Sequence, residues 1–135
     1  MELTGEVQIA GTADGAVLRL TKEISFWGGV DSFSGRITDP RHPQHDVVVT
    51  GRVLVLPATI GSSTGSSIML ELLANGCAPA ALVLAEPDAI LALGVVVAAE
   101  MGYPTIPVLL LSRAEQERLT TGQRAQIAVD GAITC

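Results

Sequence analysis

The stretch Arg52 to Ala85, RVLVLPATIGSSTGSSIMLELLANGCAPAALVLA, decides the fold. Arg52 to Leu56 is apolar and β-branched and reads as a buried strand. The loop Pro57 to Gly61 follows it. A helix through about Ala74 comes next and is stopped by Asn75-Gly76. Ala81 to Ala85 is then a second buried strand. Strand, helix and strand in this order predict parallel pairing with a right-handed crossover.

The unit repeats downstream. Asp88 is placed to cap a helix over Ala89 to Met101 that stops at Gly102. Ile106 to Leu111 reads as a third strand, Ser112 as the cap of a short amphipathic helix through about Thr121, and Gln126 to Val129 as the closing strand. Upstream, Met1 to about Val49 differs. Short alternating segments such as Glu6 to Ala10 and Ala16 to Leu20 are broken by Gly11, Asp14-Gly15, Gly28-Gly29 and Gly35, a density of turn residues that predicts short antiparallel strands. The expected architecture is α/β: a Gly-rich antiparallel part joined to a parallel βαβαβ half, in a single domain over residues 1–135.

Composition sharpens this. The chain is 48% hydrophobic but only 16% charged, against about 25% in a typical domain, which is too apolar for disorder. Its net charge of −6 lacks the basic footprint of a nucleic-acid or anionic-membrane binder. Between Val53 and Ser112 there is no Lys or Arg, and the charges are Glu71, Glu86, Asp88 and Glu100. The helical segments Ile68 to Ala74 and Ala89 to Met101 are apolar on nearly every side, unlike helices with one wet face. Either the sheet wraps around them or another chain covers them. No secretory signal is expected at Met1 to Glu6, which carries Glu2 and Glu6, and the longest apolar run, Ala89 to Ala99, is too short to cross a bilayer. A cytoplasmic chain with Cys77 and Cys135 as free thiols is expected.

Four local features bear on chemistry. The turn Gly61-Ser62-Ser63-Thr64-Gly65-Ser66-Ser67 lies between a strand and a helix, where free backbone N–H groups and hydroxyls suit a carboxylate or phosphate, although helix capping explains one serine equally well. It formally satisfies G-x-S-x-G, which would make Ser63 a hydrolase nucleophile, but His42 and His45 both precede it, against that fold's order. It lacks the lysine of a P-loop. A mobile phosphohistidine domain is matched in rhythm over Ala81 to Leu109, yet no histidine falls near Ala89 to Leu91. His42 and His45, in the polar loop Asp39 to Asp46, have no third ligand of convincing spacing, so a solvated loop is favoured over a metal site. In Ser25-Phe26-Trp27-Gly28-Gly29-Val30-Asp31, Trp27 is either a core anchor or part of a site-lining corner with Gly28, Gly29 and Asp31.

Taken together, SFWGGVD at 25–31, GRITDPRHP at 35–43, GRVLVLP at 51–57, GSSTGSS at 61–67 and APAALV at 78–83 resemble the small, swivelling-domain subunit of the aconitase X family. The resemblance implies a swivelling β/β/α fold and one half of a hydro-lyase. It also implies a large subunit carrying the remaining active-site groups and an iron or iron–sulfur centre, with no metal held by this chain alone. The substrate it implies is a small carboxylic acid: cis-3-hydroxy-L-proline, dehydrated to Δ1-pyrroline-2-carboxylate, or mevalonate 5-phosphate. The family's proton-accepting serine maps onto Ser62, with Ser66 as fallback. Gly61, Ser63, Thr64, Gly65, Ser66, Trp27, Gly28, Gly29 and Asp31 are the expected substrate-binding residues. Pro57 to Ile60 is uncharged and the next basic residue is Arg113, which tilts the expectation toward the hydroxyproline acid, unless Arg36, Arg41 or the large subunit supplies the charge. The contrasting expectation is a noncatalytic module that uses the same turn to hold an anion. The apolar 53–112 half is the expected interface with the large subunit.

Overall fold

The computed structural model describes residues 1–60 and 65–135. Its centre is four parallel strands: β3 (Ala13–Arg19), β4 (Val53–Leu56), β5 (Ala81–Leu84) and β6 (Val108–Leu110). Strand β4 alternates Val and Leu, and β5 alternates Ala or Val with Leu. The alternation sends the two residue types to opposite faces. Leu54, Leu56, Leu82 and Leu84 join one core with Met69 and Leu72 of helix α2 (Gly65–Ala74) and Leu91, Val95 and Ala98 of helix α3 (Ala89–Glu100). Val53, Val55, Ala81 and Val83 face a second core with Leu119, Ala125, Ile127 and Ile133. Burial on both faces is why these strands read as unbroken apolar runs.

The antiparallel part is built from both ends of the chain. Strand β7 (Arg124–Ile127) pairs with β3, β8 (Ala132–Thr134) with β7, and β1 (Glu2–Thr4) with β8, all antiparallel. Strand β2 (Glu6–Ile9) pairs antiparallel with β6 on the other edge. The order is β1-β8-β7-β3-β4-β5-β6-β2.

Several expectations change. Asp14-Gly15, read as a break, lies inside β3, where Gly15 pairs with Ala125; a Cβ at Gly15 would stand 2.5 Å from the Gly51 carbonyl oxygen, so glycine here serves close packing. Residues 20–52 contribute isolated bridges, Val30 with Ile37 and Arg36 with Val48, rather than strands of the sheet. The helix after Ser112 is the short α4 (Arg113–Gln116), not a helix to Thr121. The closing strand starts at Arg124, and β8 follows it. Helix α2 ends as expected, and α3 stops one residue early. On α3 the Asp88 carboxylate accepts from Leu91 N at 2.9 Å as the cap.

The two helices pack against each other as well as on the sheet. That covers most of α2, while α3 leaves Ile90, Leu93 and Val96 exposed, with Met101 just beyond it. Among the described residues no helix is long and apolar enough to cross a membrane.

Candidate functional site

The loops that leave the C-terminal ends of the parallel strands gather along one edge, where open α/β sheets hold their ligands. Pro57 to Ile60 leaves β4 here and leads toward Gly65, the first residue of α2. The lead-in is anchored twice. Thr59 bridges to Ile24, and Ile60 N–H donates to the Ile24 carbonyl at 3.0 Å. The Thr59 hydroxyl donates to the second oxygen of the Asp88 carboxylate, the group whose first oxygen caps α3. Thr59 and Asp88 also line a cleft of about 320 Å³ with Ala58, Glu86, Pro87, Ala89 and Ile90. Gly61, Ser62, Ser63 and Thr64, the expected base and three expected binding residues, lie outside the described residues. Gly65 is buried and Ser66 half-buried in the first turn of α2.

The aromatic corner divides. Phe26, 2% exposed, is the core anchor, whereas Trp27 is 58% exposed, so the anchor reading of Trp27 is corrected. The chain turns at α1 (Phe26–Gly29), where Trp27 and Gly28 leave helical geometry and Gly28 takes φ 77°, a conformation that favours glycine. Gly29 is buried against Ile24. Asp31 closes a local turn: Ser34 Oγ donates to it at 2.7 Å and Phe33 N–H at 3.2 Å, bonds that hold its carboxyl below the usual range. The neighbouring Ser32 carbonyl accepts from Asn75 Nδ2 at 2.9 Å, just past the end of α2. Helix α2 has 10 residues and so spans about 15 Å, which puts Asp31 toward the end of α2 away from the serine turn.

The histidine loop is also more structured than expected. His42 is 5% exposed, not solvated. Gln44 N–H donates to its Nδ1 at 3.0 Å, so Nε2 carries the proton and donates to the Lys22 carbonyl at 3.1 Å. Gln44 adds a second clip: its amide nitrogen donates to the Arg19 carbonyl at 2.8 Å, and its oxygen accepts from Thr21 N–H at 3.1 Å. This loop fastens residues 39–46 to the end of β3. Among the described residues no three His, Cys, Asp or Glu side chains form a metal-ligand set; Cys77 donates its thiol to the Phe33 carbonyl, and burial pushes the Cys135 thiol up. The described part of this chain does not fit an iron or iron–sulfur centre.

Sequence reading missed one cationic feature at this edge. Arg19 and Arg113, 94 positions apart by their numbers, line a cleft of about 170 Å³ together with Thr21, Pro57, Gln116 and Glu117. Neither arginine has a carboxylate partner among the described residues. The lead-in at Pro57 is therefore not far from positive charge, contrary to its local sequence. Folding alone brings Arg19 there, and no spacing signals it.

Comparison with known proteins places this architecture. The family model described as aconitase X swivel domain matches residues 2–135. The chain is 45% identical over 109 residues to a cis-3-hydroxy-L-proline dehydratase of Pseudomonas aeruginosa, an alignment covering 81% of this chain and 19% of that protein. It thus spans about a fifth of that relative's length. It is 34% identical over 130 residues to the phosphomevalonate dehydratase small subunit of Thermococcus gammatolerans, covering 96% of this chain and 93% of that one. The crystal structure of Thermococcus kodakaraensis aconitase X in its holo-form superposes with a TM-score of 0.86 at 29% identity, over 98% of this chain and 96% of that one. A family model that matches nearly the whole length, together with a superposition at a TM-score of 0.86, settles kinship: the chain belongs to the aconitase X swivel-domain family.

Proposed function

We propose that this chain is the swivelling part of a two-part hydro-lyase that removes water from cis-3-hydroxy-L-proline, giving Δ1-pyrroline-2-carboxylate. The observation that carries the reading is the 45% identity to a relative bearing that activity in its name. Ser62 takes the proton from the carbon α to the carboxylate. The electrons of that C–H bond form the C=C bond as the C–O bond breaks and hydroxide leaves; the proton taken by Ser62 then converts that hydroxide to water and restores the base, and the enamine shifts a proton to become the imine. A neutral serine is a weak base, and the positive end of α2 lowers the cost of charge on its oxygen. An iron or iron–sulfur centre, which would act as Lewis acid toward the departing hydroxyl, belongs to the large partner.

That partner also has a surface to cover. Ile90, Leu93 and Val96 expose an apolar stripe on α3, and the T. gammatolerans relative is named a small subunit. The decisive assay is loss of water from cis-3-hydroxy-L-proline by the chain co-expressed with its large partner. Turnover is expected, with Ser62→Ala lowering kcat at least about 100-fold. Full activity of that variant removes Ser62 as the base, and saturable anion binding with no turnover under any partner selects a noncatalytic module instead.

A second reading has its own support. The unpaired guanidiniums of Arg19 and Arg113 suit a phosphate, as in mevalonate 5-phosphate. Turnover of that substrate and loss of it in Arg113→Ala would select it.

A further inference from the structure

We infer that the cleft between the end of β3 and α4 is a recognition site for the zwitterionic head of a small α-amino or imino acid, with Arg19 and Arg113 for its carboxylate and Gln116 and Glu117 for its ammonium. This is a binding role that stands whether or not the chain takes part in catalysis.

Gln116 is the most constrained of the four. It is 4% exposed, and its amide nitrogen donates to the Leu56 carbonyl at 3.1 Å and to the Leu111 carbonyl at 3.2 Å. Two carbonyl neighbours require the NH2 end of the amide, so its orientation is fixed and both N–H donors are spent. Oε1, at the other end, accepts no hydrogen bond from a described residue. Among the described residues no buried side-chain oxygen or nitrogen lacks a partner, so Oε1 is not sealed in the core but opens to the cleft that Gln116 lines. An acceptor held still at the wall of a cleft calls for a donor on the ligand. Leu56 ends β4 and Leu111 follows β6, so Gln116 ties the cleft to the C-terminal strand ends, where open α/β sheets bind their ligands.

The charges around Gln116 suit a ligand that carries both signs. Arg19 is half-buried at the last residue of β3, and Arg113 is exposed at the first residue of α4. Neither guanidinium has a hydrogen-bond or carboxylate partner among the described residues, and each offers the paired N–H donors that match a carboxylate. Glu117, next to Gln116 in the chain, adds a carboxylate to the same cleft. A phosphate dianion would meet that negative charge and would set its own acceptor oxygens against Oε1. A carboxylate with an ammonium beside it answers all four side chains. The cleft's volume of about 170 Å³ lies below the roughly 300 Å³ at which pockets for drug-sized ligands begin, which suits a small acid.

The test titrates the full chain with L-proline, followed by two-dimensional amide NMR. Saturable binding is expected with Kd on the order of 1 mM, moving the Gln116 side-chain amide together with the backbone amides of Arg113 and Glu117. Tetrahydrofuran-2-carboxylate, which keeps the carboxylate but replaces the ring nitrogen by oxygen, is expected to bind at least about tenfold more weakly. At two exposed positions, Arg113→Ala should weaken L-proline about tenfold and Glu117→Gln about threefold, with the remaining resonances in place. The proposal is overturned by no saturable binding of L-proline, by equal affinity for the ring-oxygen analogue, by unchanged affinity in Arg113→Ala, or by tighter binding of inorganic phosphate than of L-proline. Binding is read on the chain alone. Absence of turnover in the two-part enzyme would therefore sink the dehydratase reading and leave this site standing, and the reverse holds equally.

Discussion

The parallel half from β4 to β6 and the antiparallel wrap made by the two chain ends obey different rules. In the parallel half each strand meets its neighbour after one helix, as when Val53 to Leu56 pairs with Ala81 to Leu84. In the wrap, Glu2 pairs with Thr134 and Ala13 with Ile127, so the partners lie at opposite ends of the chain. Strand β3 belongs to both regions, parallel to β4 on one side and antiparallel to β7 on the other. The comparison teaches that one sheet joins a locally closed unit to a globally closed one, and that β3 is the strand the two share.

The largest expected effect tests whether that shared strand couples the two regions. Leu54→Ala in the parallel half and Ile133→Ala in the wrap, both at sites almost wholly buried, should each cost about 3 kcal/mol in urea unfolding and shift one shared transition. Two separable transitions would break the picture of a continuous sheet.

Next comes the joint itself. Gly15→Ala forces a Cβ against the Gly51 carbonyl and should destabilise by about 2 kcal/mol. An unchanged unfolding midpoint would mean that β3 can shift away from residue 51 freely, and that the contact does not set its position.

A smaller effect is expected at the clip between the 39–46 loop and β3. Gln44→Ala removes two hydrogen bonds to the backbone of Arg19 and Thr21 and should cost about 1–2 kcal/mol, with faster amide exchange at Thr21. Exchange at Thr21 as slow as in the parent would show that the wrap holds this edge without the clip.

The smallest effect is a pH dependence in the same loop. The Arg41 backbone N–H, at 3.0 Å, holds the half-buried Asp39 carboxyl below its usual range. A depressed value means that the turn's support is present above the ordinary carboxylate range and fades as pH falls through the lowered value. The Asp39 carboxyl resonance should accordingly titrate below that of a solvated aspartate, and the Arg41 amide should move with it. Titration at the ordinary value would remove Asp39 as a support.

Much of the parallel half could be read from the chain because each element declares itself within a few residues: Val-Leu alternation for strands, Asp88 ahead of an apolar run, Asn75-Gly76 after one. The wrap could not, because β1 and β8 are three residues each and β1 pairs with β8 from more than a hundred positions away. Asp14-Gly15 misled for the same reason, since the Gly51 carbonyl that demands a small residue is remote in sequence. At the site, the serine turn stood out locally, and so did Asp88 as a cap. What Asp88 does with its other oxygen depends on a neighbour that only folding supplies. Phe26 and Trp27 show the limit most simply: two adjacent aromatics, of which the fold buries one and leaves the other exposed.

The sequence by itself determined the βαβαβ order, the scarcity of charge over residues 53–112 and the run of serines ahead of α2, because these depend on periodicity, capping and composition within short windows. The tertiary structure alone decided which strands share an edge, that Arg19 and Arg113 line one cleft with Pro57, and that the Asp88 cap of α3 also holds Thr59. Those are properties of distance in space, and a chain reveals distance in space only where its contacts are local.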